Sequence, residues 1–161
     1  MDNGAIKILL VDDEPDILEI VGFHLKKEGY QVFKASNGNE AVVNAKVIQP
    51  HLILLDIMMP EMDGIEACEK IRQIEGLKNV LIAFFTARGE DYSQVAGFEA
   101  GADDYITKPV KPKVLVSKVK GLLRRFYTKE EIEENTLSFD GITINKDQYY
   151  VEVDGKEITL P

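Results

Sequence analysis

The stretch that most constrains this chain runs from His51 to Gly64. Leu52, Ile53, Leu54 and Leu55 form an unbroken apolar run, the pattern of a strand buried on both faces of a parallel sheet. Asp56 follows directly, and Pro60 with the Asp63-Gly64 pair turns the chain before the next helical pattern begins. Ligands of open α/β sheets bind beyond the carboxyl ends of the strands, so Asp56 stands where chemistry is expected. An aspartate that merely caps a turn is the commoner explanation of such a residue taken alone. It is outweighed here because other strand ends carry matching polar groups.

The rest of the chain repeats the alternation. A strand over Ile6 to Val11 ends in Asp12, Asp13 and Glu14, and Pro15 opens a helix whose Ile17, Val21 and Leu25 recur at helical spacing up to Gly29. Gln31 to Ala35 reads as a second strand, and Asn37-Gly38 leads into a helix with Ala41, Ala45 and Ile48 on one side. After the central strand, Ile65, Cys68 and Ile71 form the next stripe. A fourth strand over Val80 to Phe85 ends at Thr86, a weaker helix runs from Asp91 to Ala100, and Tyr105 to Thr107 is a short fifth strand before Lys108-Pro109. Leu115, Val119, Leu122 and Phe126 make the strongest helical stripe. Five strands alternating with five helices predict an α/β fold, a doubly wound parallel sheet with helices on both faces. The first, third and fourth strands are the most apolar and are expected at its centre.

Beyond Phe126 the character changes. Residues 127–136 are polar and glutamate-rich, as expected of a linker. From Leu137 onward apolar and polar residues alternate, with turn signals at Asp140-Gly141, Lys146-Asp147 and Asp154-Gly155. This predicts a small four-stranded antiparallel β-meander over 137–161, one face of which needs a cover. The net charge of −9 divides as −3 over residues 1–126 and −6 over residues 127–161. Neither part offers the basic stripe of a nucleic-acid binder, so this chain alone is not expected to bind DNA. No apolar run is long enough to span a membrane. No signal-peptide pattern opens the sequence, and Cys68 is the one cysteine, so a reducing, cytoplasmic setting is expected. Cys68, His24 and His51 are read as structural residues.

Asp12 and Asp13 leave the first strand, Asp56 the third, Thr86 the fourth and Lys108 the fifth, so all five converge on one sheet edge. Three carboxylates crowded together repel one another, which makes sense if the site binds a cation. Hard oxygen donors with few protein ligands suit Mg²⁺. A metal, a hydroxyl and an ammonium around one carboxylate are what phosphoryl transfer onto that carboxylate requires.

On these residues the chain resembles the receiver domain of bacterial two-component response regulators, with a flavodoxin-like fold over residues 1–126. The matching motifs are Val-Asp-Asp-Glu at 11–14, Leu-Leu-Asp-Ile-Met-Met-Pro-Glu-Met-Asp-Gly at 54–64, Phe-Thr-Ala at 85–87 and Gly-Ala-Asp-Asp-Tyr-Ile-Thr-Lys-Pro at 101–109. The resemblance implies a sensor histidine kinase as partner and Asp56 as phospho-acceptor. It implies Asp13, Asp56 and the main-chain carbonyl of Met58 as Mg²⁺ ligands, with Asp12 acting through water. By the same resemblance, Thr86 and Lys108 bind phosphoryl oxygens, Tyr105 rotates inward as Thr86 moves, and Lys108-Pro109 is a cis peptide.

Residues 137–160 resemble, on alternation and on Val-Asp-Gly-Lys-Glu-Ile-Thr-Leu at 153–160, the first sheet of the winged-helix output domain of the OmpR/PhoB subfamily. The helices that read DNA in that subfamily are not in this sequence, so the chain is expected to be a fragment or a shortened product, binding DNA only at full length. The subfamily also implies a phosphorylation-promoted homodimer through the fourth helix, fifth strand and fifth helix. Asp103 and Asp104 would there face Lys118, Lys120 and Arg125. Val114 and Gln94 stand where a Glu–Lys pair is expected, which predicts a weaker, less salt-sensitive dimer. Among other functions, a haloacid-dehalogenase-like phosphohydrolase also uses an aspartyl nucleophile, but Met58 stands where its acid/base is needed. A flavodoxin-like binding module needs glycines where Asp12 to Glu14 are acidic.

Overall fold

The computed structural model describes residues 3–87 and 96–127 and, further on, two short strands at 151–152 and 158–159. Five strands, β1 (Lys7–Val11), β2 (Gln31–Ala35), β3 (Leu52–Leu55), β4 (Leu81–Ala87) and β5 (Asp104–Lys108), form one sheet in the order β2-β1-β3-β4-β5. Every pairing in it is parallel. The helices are α1 (Pro15–Lys27), α2 (Gly38–Ile48), α3 (Gly64–Arg72), a helical turn at 96–99 (α4) and α5 (Pro112–Phe126). The three most apolar strands occupy the middle, as expected.

The apolar run of β3 has a simple explanation. Leu52 and Leu54 join the cluster under α1 and α5, with Ile8, Leu10, Val21, Leu25, Leu115 and Val119. Ile53 and Leu55 point the other way, to Leu9, Val11 and the small residues Ala41, Ala45, Ala67 and Cys68 of α2 and α3. Alternate side chains feed two cores, and neither face meets water. Each large aliphatic side chain so buried contributes roughly 1.5–3 kcal/mol. At the sheet edge β2 is only partly buried, which matches its mixed sequence.

Helix starts follow their capping residues. Asn37 accepts a hydrogen bond from Glu40 N at 2.8 Å, and Asp63 accepts one from Glu66 N at 2.9 Å. Pro15 and Pro112 open α1 and α5 without a side-chain cap.

Three expectations change. Phe126 is 43% exposed, and Leu123 takes the buried place beside Leu115, Val119 and Leu122. Tyr127, one residue further on, still packs against the core and donates to His51 O, so Phe126 stands off the seam that spacing alone assigns to it. The fourth strand extends through Thr86 to Ala87, and the fifth spans Asp104 to Lys108, because their ends pair (Thr86 with Thr107, Ala87 with Lys108) whatever the side-chain polarity. Of the helix expected over 91–100, residues 91–95 lie outside the described residues. So does most of the expected meander. Within it, Val151–Glu152 (β6) and Ile158–Thr159 (β7) pair antiparallel. No described helix is long and apolar enough to cross a membrane.

Candidate functional site

The carboxyl ends of β1, β3, β4 and β5 bring the expected residues together. Asp12 follows β1 and is fully buried, Asp13 beside it is exposed, and Asp56 follows β3 at 4% exposure. Oxygen atoms of these three carboxylates lie within 4.8 Å of one another. Backbone bonds fix their positions, Asp12 N donating to Ala35 O at 3.1 Å and Asp56 N to Val11 O at 3.0 Å. Asp12 Oδ1 also accepts from Glu14 N at 2.9 Å, which secures the turn into α1.

Lys108, the last residue of β5, reaches across the sheet edge. Its Nζ lies 2.6 Å from Asp12 Oδ2 and 3.8 Å from Asp56 Oδ2, and 5.2 Å from the centre of the Phe85 ring. One ammonium against three carboxylates leaves the cluster with a formal excess of negative charge. Burial pushes the Asp56 carboxyl above its usual pKa; the Thr86 hydroxyl pulls down, neighbouring Asp12 adds a further rise, and Lys108 and the Met58 backbone N–H lower it. Thr86 Oγ1 is buried and makes no hydrogen bond of ordinary geometry, although it lies near enough to favour the carboxylate of Asp56. Tyr105 Oη is buried with no hydrogen-bond partner among the described residues, its ring packed edge-on against Phe84 at 6.4 Å between centroids. A buried hydroxyl and an ammonium set against crowded carboxylates are the groups an anionic ligand would meet there. The donor set of hard oxygens, two of the three residues buried, suits a divalent cation.

The loop after Asp56 is held tightly. Gly64 N donates to Ile57 O at 2.8 Å, and a Cβ added at Gly64 would stand 2.1 Å from Asp56 O. The sequence marks Gly64 as a turn residue only; its close approach to the Asp56 main chain is visible only in three dimensions. Met58 is 71% exposed. The Lys108–Pro109 peptide is cis.

Several residues of the expected dimer face make contacts within the chain. Asp103 is tied to Arg72 at 2.9 Å and Lys120 to Glu28 of α1 at 2.8 Å, so both already have partners. Asp104 lies 3.5 Å from Arg125. Lys118 is exposed and forms no ion pair among the described residues, and Val114 on the same helix and Phe98 in the turn at 96–99 expose apolar surface. Gln94 lies outside the described residues.

Neither histidine belongs to the site. His51 is buried before β3, its Nδ1 accepting from Lys7 N at 3.0 Å, while His24 packs edge-on against Phe23. Cys68 is a buried core residue. A cleft of about 700 Å³ opens beside His51 at the far end of the sheet, but its lining of Gln49, Glu75, Lys78 and Asn79 gathers no carboxylate cluster.

Residues 8–120 match the family described as response regulator receiver domain. The chain is 42% identical over 163 aligned residues to transcriptional regulatory protein ResD of Bacillus subtilis (strain 168), covering 98% of this chain and 67% of ResD. Among solved structures, a putative response regulator from Chloroflexus aurantiacus J-10-fl is 37% identical with a TM-score of 0.69, covering 74% of this chain and 98% of that one. The BeF3-activated DrrB receiver domain is 34% identical with a TM-score of 0.66, covering 74% and 98%.

Proposed function

The chain belongs to the response regulator receiver domain family, the phospho-signalling module of two-component systems, and from that premise we propose that Asp56 is its phospho-acceptor. The observation that carries this reading is the convergence of Asp12, Asp13, Thr86 and Lys108 on Asp56, with the Thr86 hydroxyl buried beside it. Asp13, Asp56 and the main-chain carbonyl of Met58 would hold Mg²⁺, with Asp12 acting through water, and the ion would supply positive charge to neutralise the phosphoryl oxygens.

The chain's own groups then have separate tasks. An Asp56 carboxylate oxygen attacks phosphorus in line, an acyl phosphate forms, and the bond to the donor breaks with its electron pair leaving on the donor. The donor is a phosphohistidine of a sensor kinase or a small acyl phosphate. Lys108 Nζ, 3.8 Å from Asp56, and the Thr86 hydroxyl receive the phosphoryl oxygens. Tyr105 follows Thr86 inward, and the face of β5 and α5 that includes Asp104, Lys118 and Arg125 gains affinity for a second copy. Self-dephosphorylation is slow, since exposed Met58 offers no acid or base.

Residues 127–136 serve as a linker and residues 137–161 as the start of a winged-helix output domain. Its DNA binding belongs to the full-length protein, in line with the name of the ResD relative.

Incubation with acetyl phosphate and Mg²⁺ should add one phosphate to the parent and none to Asp56→Asn, read by intact-mass spectrometry. A phosphate on the Asp56→Asn chain overturns the assignment.

A further inference from the structure

Arg72 closes α3 and takes no part in the chemistry above. All five of its N–H donors are used. Nε donates to Gly101 O at 3.0 Å, and Nη2 donates to Gly101 O at 2.7 Å and to Asp103 Oδ2 at 2.9 Å. Nη1 donates to Lys78 O at 3.2 Å and to Val80 O at 2.5 Å. These acceptors come from two turns, one immediately before β4 and one immediately before β5. Those are the strands that carry Thr86 and Lys108 to the site.

Asp103 completes the junction. Its Oδ2 also accepts from Ile82 N at 2.9 Å, and its own N donates to Ile82 O at 2.8 Å. A guanidinium is a rigid planar fork, so it fixes the two strand starts relative to each other. Gly101, at φ 107°, leaves room for it, since an added Cβ would meet Arg72 Nε at 3.1 Å. The opposite end of the same helix begins at Gly64, against the Asp56 carbonyl. A nine-residue helix, about 13 Å long, therefore spans from the Asp56 main chain to the base of β4 and β5.

We propose that Arg72 is a positioning residue of the phosphoryl site: through α3 it ties the Asp56 loop to β4 and β5, and so sets where Thr86 and Lys108 stand relative to Asp56. This rests on the reading of Asp56 as phospho-acceptor. An arginine with a purely structural role affects stability and leaves phosphoryl recognition alone. A positioning arginine spares the carboxylates of β1 and β3, which bind Mg²⁺, and displaces the groups of β4 and β5, which meet the phosphoryl oxygens.

Arg72→Lys keeps the charge but offers three donors from a single point. The full chain is titrated with Mg²⁺ alone, then with beryllium fluoride, a phosphoryl mimic, at saturating Mg²⁺, well below the melting temperature. Mg²⁺ affinity should stay within about twofold of the parent, while beryllium fluoride affinity and phosphate uptake from acetyl phosphate fall about tenfold. Parental beryllium fluoride affinity in Arg72→Lys overturns the proposal, even if the melting temperature drops. Should that variant not fold, Asp103→Asn goes through the same titrations; it keeps an oxygen acceptor for Ile82 N and loses the ion pair. A loss of about threefold is expected there, and no loss overturns the proposal. A parent chain that takes neither phosphate nor beryllium fluoride refutes the reading of Asp56 instead, so the two failures are separable.

Discussion

The two ends of the sheet are built on opposite terms. At the carboxyl ends, three carboxylates crowd within 4.8 Å against a single ammonium, that of Lys108. At the amino ends, Arg72 uses every donor, His51 Nδ1 accepts from Lys7 N at 3.0 Å, and Tyr127 Oη donates to His51 O at 2.7 Å. The four residues of β3 join these regions, with His51 before them and Asp56 after. Both ends bury polar groups, so burial does not distinguish a site from a foundation. What differs is charge. Hydrogen bonds tie the base together, and the excess negative charge at the top is tolerated because that base holds it in place.

The largest test forces the two together. Gly64→Ala drives a Cβ into the Asp56 carbonyl, so it should cost about 3 kcal/mol or more and depress phosphate uptake with it. Denaturant unfolding and acetyl phosphate labelling check both; parental values in the Gly64→Ala variant would mean the loop is soft.

Next comes pH at the base. Burial holds the His51 pKa down at about 3, so the fold carries it neutral while the unfolded chain takes up a proton below about pH 6.5. Its contribution is full above that pH, lost as pH falls toward 3, and flat below. Between pH 6 and 4.5 the loss is about 2 kcal/mol. His51→Asn keeps an acceptor for Lys7 N and cannot titrate, so its unfolding free energy should fall less steeply over that window. Identical slopes in parent and variant defeat the attribution.

A smaller effect of opposite sign is expected at the top. Removing one of the crowded charges with Asp56→Asn should stabilise the Mg²⁺-free chain by about 1 kcal/mol at neutral pH, while abolishing phosphate uptake. Destabilisation instead would show that Asp56 is better matched than its surroundings indicate. The smallest effect is at the surface. Lys118→Glu should leave phosphorylation intact and weaken the phosphorylated dimer in sedimentation by under about 1 kcal/mol. Unchanged dimerisation removes Lys118 from the face.

Local pattern carried far in this chain. Period and punctuation were enough for five parallel strands and their central order, because a strand covered on both faces must be apolar throughout and an edge strand need not be. The same logic placed Asp12, Asp13, Asp56, Thr86 and Lys108 at one edge, since each lies at or just past the carboxyl end of a strand. Polar strand ends were legible less well: Thr86 and Lys108 belong to the sheet through backbone pairing, which is indifferent to side chains.

What only the tertiary structure decided is partnership. Arg72 in the last turn of a helix reads, in sequence, as a cation complementing the dipole, and nothing local shows that its acceptors lie up to 31 residues away. Nothing local to Asp103 and Lys120 shows that Arg72 and Glu28 stand beside them. Gly64 looked like a turn former until the Asp56 carbonyl was found against it. Periodicity is written residue by residue because burial acts on each side chain separately. Hydrogen bonds and ion pairs are short-ranged and directional, so which groups meet is settled only when distant segments are brought within about 3 Å of each other.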